Sequence, residues 1–321
     1  MNFHPRDKNN FQKNILSKTL LLDAPAKLNL FLDVLDKRPD GYHGLVTLFE
    51  RITLFDRIRL TPLSDEGIVV SSESPDIPLD ENNLAYKAAE LVKRSQGIRH
   101  GVKIEIEKNI PVGAGLGGGS SDAAAVLLGL NKMFSLKLSI ETLLAYANRL
   151  GSDVAFFIFN RNFAVGRDRG GDLEKAALPR DYKLWHLLFI PHVKIITKDV
   201  YFLHDQEEKI QKNSENTQNS LKLTKNEDDV NILISNLKNG DLNSLNRNIY
   251  NRLSSTVMKS YSLVSELKAD LSKLGLDEVH MSGSGPTLFM NFAEKSDAQA
   301  VFGRIHDRIS DRCRLFLAST L

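Results

Sequence analysis

The chain has 321 residues, 42% of them hydrophobic and 26% charged, with 42 Lys and Arg against 40 Asp and Glu for a formal charge of +2. That length suits two domains and a full core without covalent staples, and the near balance of charge argues against nucleic-acid binding through bulk charge. One cysteine, Cys313, excludes an intramolecular disulfide and a Cys-based zinc site and fits a reducing cytoplasm, while no apolar run nears the roughly 18 residues of a membrane span.

Of the first 20 residues, Met1 to Lys18 are polar, with Arg6, Lys8, Lys13 and Lys18 against Asp7, and lack the apolar stretch of a secretory signal. They read as a flexible extension. From Leu20 to Val34 apolar residues alternate, which predicts a half-buried strand. Lys37 to Gly41 is a turn, with Pro39 and Gly41 supplying its backbone angles. A second strand covers Val46 to Leu60, and the spacing of Leu84, Ala88, Leu91 and Val92 predicts a helix over Asp80 to Arg94. Gly101 to Ile110 alternates again. A glycine run follows, then a buried helix from about Ser121 to Phe134, apolar nearly all round. Ser139 is placed as the N-cap of a helix ending at Gly151. Phe163 to Gly171 reads as a short strand and a turn.

A new strand-rich unit starts over Lys183 to Ile196. The boundary is therefore set near 178–183, giving an N-terminal domain of residues 21–180 and a C-terminal domain of 181–321. Asp205 to Asp228 is polar, has no aromatic residue and is expected to be a mobile loop. Helices are predicted over Asn231 to Lys238, Leu253 to Leu274 and Asp297 to Arg308. A strand pair brackets Ser282 to Pro286.

The strongest chemical signal is Pro111-Val112-Gly113-Ala114-Gly115-Leu116-Gly117-Gly118-Gly119-Ser120-Ser121, which joins a strand to the buried helix. Five glycines in seven positions let backbone N–H groups approach a ligand, and the helix N-terminus aims its positive dipole end at the same place. Such a loop cradles the phosphates of a nucleotide; a flexible connection with Ser120 or Ser121 as helix cap has the same composition. No Lys follows the glycines, so a Walker-type loop is excluded. The protein-kinase motifs are missing too. Lys27 and Asn29 are two apart on a strand, so their side chains leave by one face; a solvated strand face looks alike. Asp153 follows Gly151 before Val154-Ala155-Phe156-Phe157 and suits a helix N-cap. Gly283-Ser284-Gly285 again permits close backbone approach, or a tight hairpin turn.

Taken together, several stretches resemble the GHMP kinases: Ala24 to Leu30, Arg38 to His43, Pro111 to Ala125, Gly151 to Phe157 and Met281 to Gly285, all in family order. The resemblance implies a two-domain α+β fold with the active site in the cleft between domains. It implies ATP as cofactor, cradled by residues 111–121, with Mg²⁺ expected alongside the nucleotide and no ligand assigned to the metal. Lys27 becomes a catalytic cation and Asp153 the general base that takes the proton of an alcohol. The Tyr42-His43 pair is similar to that of members acting on a cytidylated alcohol, with Tyr42 stacking on the base and His43 hydrogen-bonding its edge. Thr197 and Tyr201 share a helix face, Tyr201 as the second stacking wall. Asn29, Gly283 and Ser284 complete the substrate set. Small molecules are the implied partners, with neither nucleic acid nor membrane. Rival readings are another acceptor of this family (homoserine, mevalonate or a sugar) and a nucleotide-binding regulator without turnover. Asp168 stands where the family commonly has glycine.

Overall fold

The computed structural model describes residues 18–179, 181–214 and 227–321. The chain folds as two compact units. The first takes the described residues up to Ala26, then Leu54–Val112 and Gly117–Asn160; the second takes Lys27–Thr53, Gly113–Leu116 and Arg161–Leu321. The single boundary expected near 178–183 lies inside the second unit. The reason is two long strands, β1 (Leu20–Lys37) and β2 (His43–Leu63), each of which passes from one unit into the other within its own length.

β1 is more than half-buried: every residue from Ala26 to Val34 is buried, including Lys27, Asn29 and Asp33. Alternation of polar and apolar residues therefore marks two buried faces, because the polar side chains find protein partners. Asp33, for one, accepts a hydrogen bond from Arg252 Nε at 2.8 Å.

In the first unit the far half of β2 pairs antiparallel with β4 (Gly101–Glu107), Leu60 opposite Ile104, and β4 pairs parallel with β3 (Ile68–Ser72). Helix α1 (Leu84–Gln96) is capped by Asn83, whose side chain accepts from the Ala85 amide. Helix α2 (Gly118–Met133) begins three residues before the expected Ser121, capped by Gly117 in the left-handed region. Ser120 and Ser121 thus lie in its first turn. Its apolar run is buried as expected except for Leu128, which is 39% exposed, and at Gly129 a methyl group would fall 2.3 Å from the Leu60 side chain and 2.6 Å from that of Leu22. That close approach seats α2 on the strands. Ser139 caps α3 (Ile140–Leu150), and α4 (Ser152–Phe159) follows with Gly151 at its cap, so Asp153 is a first-turn residue rather than the cap.

In the second unit Thr47–Glu50 of β2 pairs with β5 (Phe163–Arg167), which forms a hairpin with β6 (Asp172–Lys175). A second sheet, all antiparallel, runs β11 (Cys313–Ser319), β7 (Trp185–Pro191), β10 (Leu288–Phe292), β9 (His280–Met281). A two-residue strand, β8 (Tyr250–Asn251), pairs parallel with β1 at Phe31 and Leu32. Helices α5 (Thr197–Ser214), α6 (Glu227–Asn239), α7 (Leu242–Asn248), α8 (Ser254–Ser260), α9 (Ser262–Lys273) and α10 (Lys295–Ile309) complete the unit. Phe189, Leu187, Leu288, Leu267 and Ile305 sit at the centre of its core.

The helix expected over Leu253 to Leu274 is two helices, interrupted at Tyr261, which is extended. The loop expected over Asp205 to Asp228 is corrected in part: Asp205–Ser214 continues α5 and Glu227–Asp228 opens α6. Helix forms there because Val200 and His204 are buried and Asp205 and Glu207 have partners elsewhere in the unit. Residues 215–226, and the extension over 1–17, lie outside the described residues. The last residues close back onto β2: Thr320 bridges Ile52, the Leu321 amide donates to the Arg51 carbonyl, and the Thr320 hydroxyl donates to the buried Glu50 carboxylate at 2.6 Å.

Candidate active site

In the second unit, four consecutive carbonyls of the glycine loop accept from protein donors. Ile195 N donates to Gly113, Thr287 to Ala114 through both its amide and its hydroxyl, Ser282 Oγ to Gly115 and Lys27 N to Leu116. Side-chain-free residues are needed for this seating: a methyl on Gly115, at φ +75°, would lie 2.6 Å from the Ser282 carbonyl oxygen. The loop backbone is therefore fixed in place before any ligand arrives.

Lys27 and Asn29 form the polar floor of the same place. The Lys27 ammonium donates to Asn29 Oδ1, Asn29 Nδ2 donates to Thr47 Oγ1 at 2.8 Å, and the Asn29 amide donates to Ser282 Oγ at 3.2 Å. Both side chains are nearly inaccessible, 3% and 4% exposed. A methyl on Gly283 would sit 3.0 Å from Asn29 Oδ1 and 3.2 Å from both Lys27 Nζ and the Gly115 carbonyl oxygen. Lys27, Asn29, Gly115 and Gly283 thus converge on one point. Asn251, which the sequence did not single out, holds Gly283 there: its Nδ2 donates to the Met281 and Gly283 carbonyls, each at 2.8 Å. Thr197 and Ser284 meet through their hydroxyls.

Tyr42 and His43 follow the turn as expected. Tyr42 is 56% exposed and carries the Arg169 guanidinium 3.7 Å over its ring centroid. His43 Nδ1 lies 3.0 Å from the Leu35 carbonyl oxygen and Nε2 lies 2.8 Å from Asp205 Oδ1, while the ring stacks on Tyr201 at 5.7 Å between centroids. Asp168 has φ +60°, the conformation that glycine adopts without strain, and pairs with Arg38.

The first unit holds the remaining candidates. Ser120 and Ser121 belong to the first turn of α2, and Asp153 to the first turn of α4, where a helix dipole stabilises negative charge. Behind the start of α2 lies a buried charge cluster that the sequence reading missed. Lys108 contacts both Asp56 and Asp122, the latter at 3.2 Å, and Asp56 Oδ1 accepts from the amides of Asn109 and Ile110 at 2.6 and 2.8 Å. Burial pushes the Asp122 carboxyl up to about 7 against the pull of Lys108. Ser121 Oγ and Asp122 Oδ1 are buried without a hydrogen-bond partner. Among the described residues, no group of three or more His, Cys, Asp or Glu side chains is arranged to hold a metal ion.

Residues 83–161 match the GHMP kinases N terminal domain and residues 233–310 the GHMP kinases C terminal domain. The chain is similar to a protein of Exiguobacterium sibiricum named 4-diphosphocytidyl-2-C-methyl-D-erythritol kinase, 38% identical over 284 residues that cover 88% of this chain and 93% of the relative. A protein of Bacillus mycoides with the same name is 39% identical over 271 residues, 84% of this chain and 87% of the relative. Among solved structures, a 4-(cytidine 5'-diphospho)-2C-methyl-D-erythritol kinase superposes with a TM-score of 0.71 at 32% identity, covering 94% of this chain and 98% of that one. L. major mevalonate kinase shares the fold with a TM-score of 0.70 at 16% identity, over 94% and 96% of the two chains.

Proposed function

The chain belongs to the GHMP kinases and, among them, to the 4-diphosphocytidyl-2-C-methyl-D-erythritol kinases, and from that membership we propose that it transfers the γ-phosphoryl group of ATP to the 2-hydroxyl of 4-diphosphocytidyl-2-C-methyl-D-erythritol, in the non-mevalonate route to isoprenoid precursors. The observation that carries this reading is the buried Lys27–Asn29 pair facing Gly283 and Gly115. An ammonium removed from water and held against side-chain-free backbone suits the charge that develops on a transferring phosphoryl group.

Phosphoryl transfer needs positioning and charge stabilisation more than covalent chemistry. Lys27 stabilises the attacking oxygen and the phosphoryl group, and Asn29 orients the ammonium. Asp153 accepts the proton of the substrate hydroxyl. Residues 111–121 hold the triphosphate through backbone N–H groups and the Ser120 and Ser121 hydroxyls. The pinned carbonyls of residues 113–116 support this role, since a preset loop need not be ordered by its ligand. Tyr42, His43 and Tyr201 hold the cytidine, and Thr197, Gly283 and Ser284 hold the remainder of the acceptor.

Mg²⁺ fits this chain as a companion of the nucleotide. Two buried oxygens without partners, Ser121 Oγ and Asp122 Oδ1, are hard ligands at the start of α2, and Mg²⁺ ordinarily takes only one or two protein ligands beside phosphate. When bound, it would neutralise charge on the β and γ oxygens. No described helix is long and apolar enough to cross a membrane, and the lone buried thiol of Cys313 suits a cytoplasmic enzyme.

The test is ADP release against a panel of cytidylated methylerythritol, mevalonate, homoserine and galactose. Turnover confined to the cytidylated alcohol is expected. Asp153→Asn should lower kcat by about 10²–10⁴-fold with ATP affinity within about twofold. Unchanged kcat would remove Asp153 from the role of base.

A further inference from the structure

Both ring nitrogens of His43 face acceptors of the protein itself. Nδ1 lies 3.0 Å from the Leu35 carbonyl oxygen, which only accepts, so that nitrogen carries a proton. Nε2 is 2.8 Å from Asp205 Oδ1, at ion-pair distance but without an in-line hydrogen bond. The second carboxylate oxygen of Asp205 lies 2.6 Å from Lys37 Nζ. Lys37 ends β1 and His43 opens β2, so both flank the turn that carries Tyr42. Asp205 lies four residues past Tyr201 on α5, about one helical turn along the same face. One carboxylate therefore ties the β1–β2 turn to the helix that carries Thr197 and Tyr201.

The two contacts of Asp205 are unequal. The Lys37 side chain is 54% exposed, and an ion pair so open to water contributes little. That of His43 is only 10% exposed. The Tyr201 ring lies against the His43 ring, 25° from parallel. Turning His43 would thus move the surface on which Tyr201 rests. Burial works against ionisation of Asp205, yet Lys37 and His43 outweigh it and hold the carboxyl below the usual carboxylate range.

We infer that Asp205 is a positioning residue for the nucleobase half of the acceptor: it fixes the plane of the His43 ring, and through that ring the Tyr201 stacking face, and so sets affinity for a cytidylated substrate. This inference rests on the function proposed above. It concerns a residue that acts through His43 and has no part in phosphoryl transfer.

The test uses Asp205→Asn, which keeps shape and loses charge, and Asp205→Glu, which keeps charge. Asp205→Asn should raise KM for the cytidylated alcohol by about tenfold, with kcat and KM for ATP within about twofold of the unaltered enzyme. Asp205→Glu should recover most of that loss. Lys37→Met should change the same KM by less than about threefold. In protein labelled with ¹⁵N-histidine, the His43 Nε2 resonance should move in Asp205→Asn while Nδ1 keeps its proton. Equal changes in both KM values, or a lower Tm with neither KM altered, would reduce Asp205 to a structural ion pair and overturn the inference. So would an unmoved Nε2 resonance. An unaltered enzyme that ignores the cytidylated alcohol sinks the parent reading instead, and the histidine spectrum still decides whether Asp205 holds the ring.

Discussion

The hydroxyl of Thr197 lies 2.9 Å from the hydroxyl of Ser284. Thr197 opens α5, and Ser284 sits in the glycine-flanked loop between β9 and β10. Ser284 is buried, so its hydroxyl has exchanged water for a protein partner. Thr197→Val and Ser284→Ala should each cost about 1 kcal/mol in denaturant unfolding, and the double variant less than their sum, a coupling of about 0.5–1.5 kcal/mol. Strict additivity would mean that the two hydroxyls do not depend on each other.

Gly283 is a position where an added methyl group would press directly on the Lys27–Asn29 pair. Its φ of +57° disfavours an L side chain, and the added carbon would press on Asn29, Lys27 and the Gly115 carbonyl. Gly283→Ala is expected to lower kcat/KM by about 10²-fold, the scale of a reacting group displaced by about 1 Å. Gly240→Ala is the comparison. Gly240 has a similar φ of +65° but nothing within 4 Å of an added carbon. It should lose about 1–2 kcal/mol of stability from the same backbone strain and keep its kcat/KM. Equal kinetic losses in the two variants would remove Gly283 from the site.

Asp122 gives a signed pH effect. Its ordinary value is 3.8, and burial lifts it to about 7 in the folded chain. Between those values the folded state keeps a proton that the unfolded chain has released, so this group's contribution to stability falls as pH rises across that window. Asp122→Asn has no such proton to lose. Its stability relative to the unaltered protein should therefore climb steadily from about pH 4 to about pH 7 in urea unfolding curves. A constant difference across that range would place the Asp122 carboxyl back in the ordinary range.

Much of the fold around this candidate site was readable from local pattern. The helix that follows the glycine run, the burial of Ala123 to Leu127 and the cap at Ser139 all speak through neighbours within a few residues, and the structure agrees with them. Alternation along β1 located Lys27 and Asn29 on one face but misjudged its surroundings, because strand period reports polarity and is silent about what covers the polar side. Thr47 could not be found that way: it meets Asn29 from 18 residues away, on another strand. Asn251 lies in a two-residue strand too short to leave a period. Asp205 sat at the edge of a polar stretch whose composition suggested a loop. Its helix is held by contacts with β1 and β2, which no window along the chain contains. The break at Tyr261 had a local signal that apolar spacing overrode, since Ser260 and Ser262 on either side are residues that favour caps and turns over helix interiors.

The closing of Thr320 and Leu321 onto Arg51 and Ile52 bears on how this molecule is made. Residues near Ile52 leave the ribosome about 270 codons before their partners, from the separation of Arg51 and Leu321. Until β11 emerges, β7 also lacks a partner along one edge, because Trp185 to Pro191 pairs there with Cys313 to Ser319. A nascent chain paused before β11 emerges exposes a seven-residue, largely apolar strand with open backbone groups, the feature that recruits other unfinished chains. Chaperone demand should therefore last until β11 has emerged and fall once it has docked.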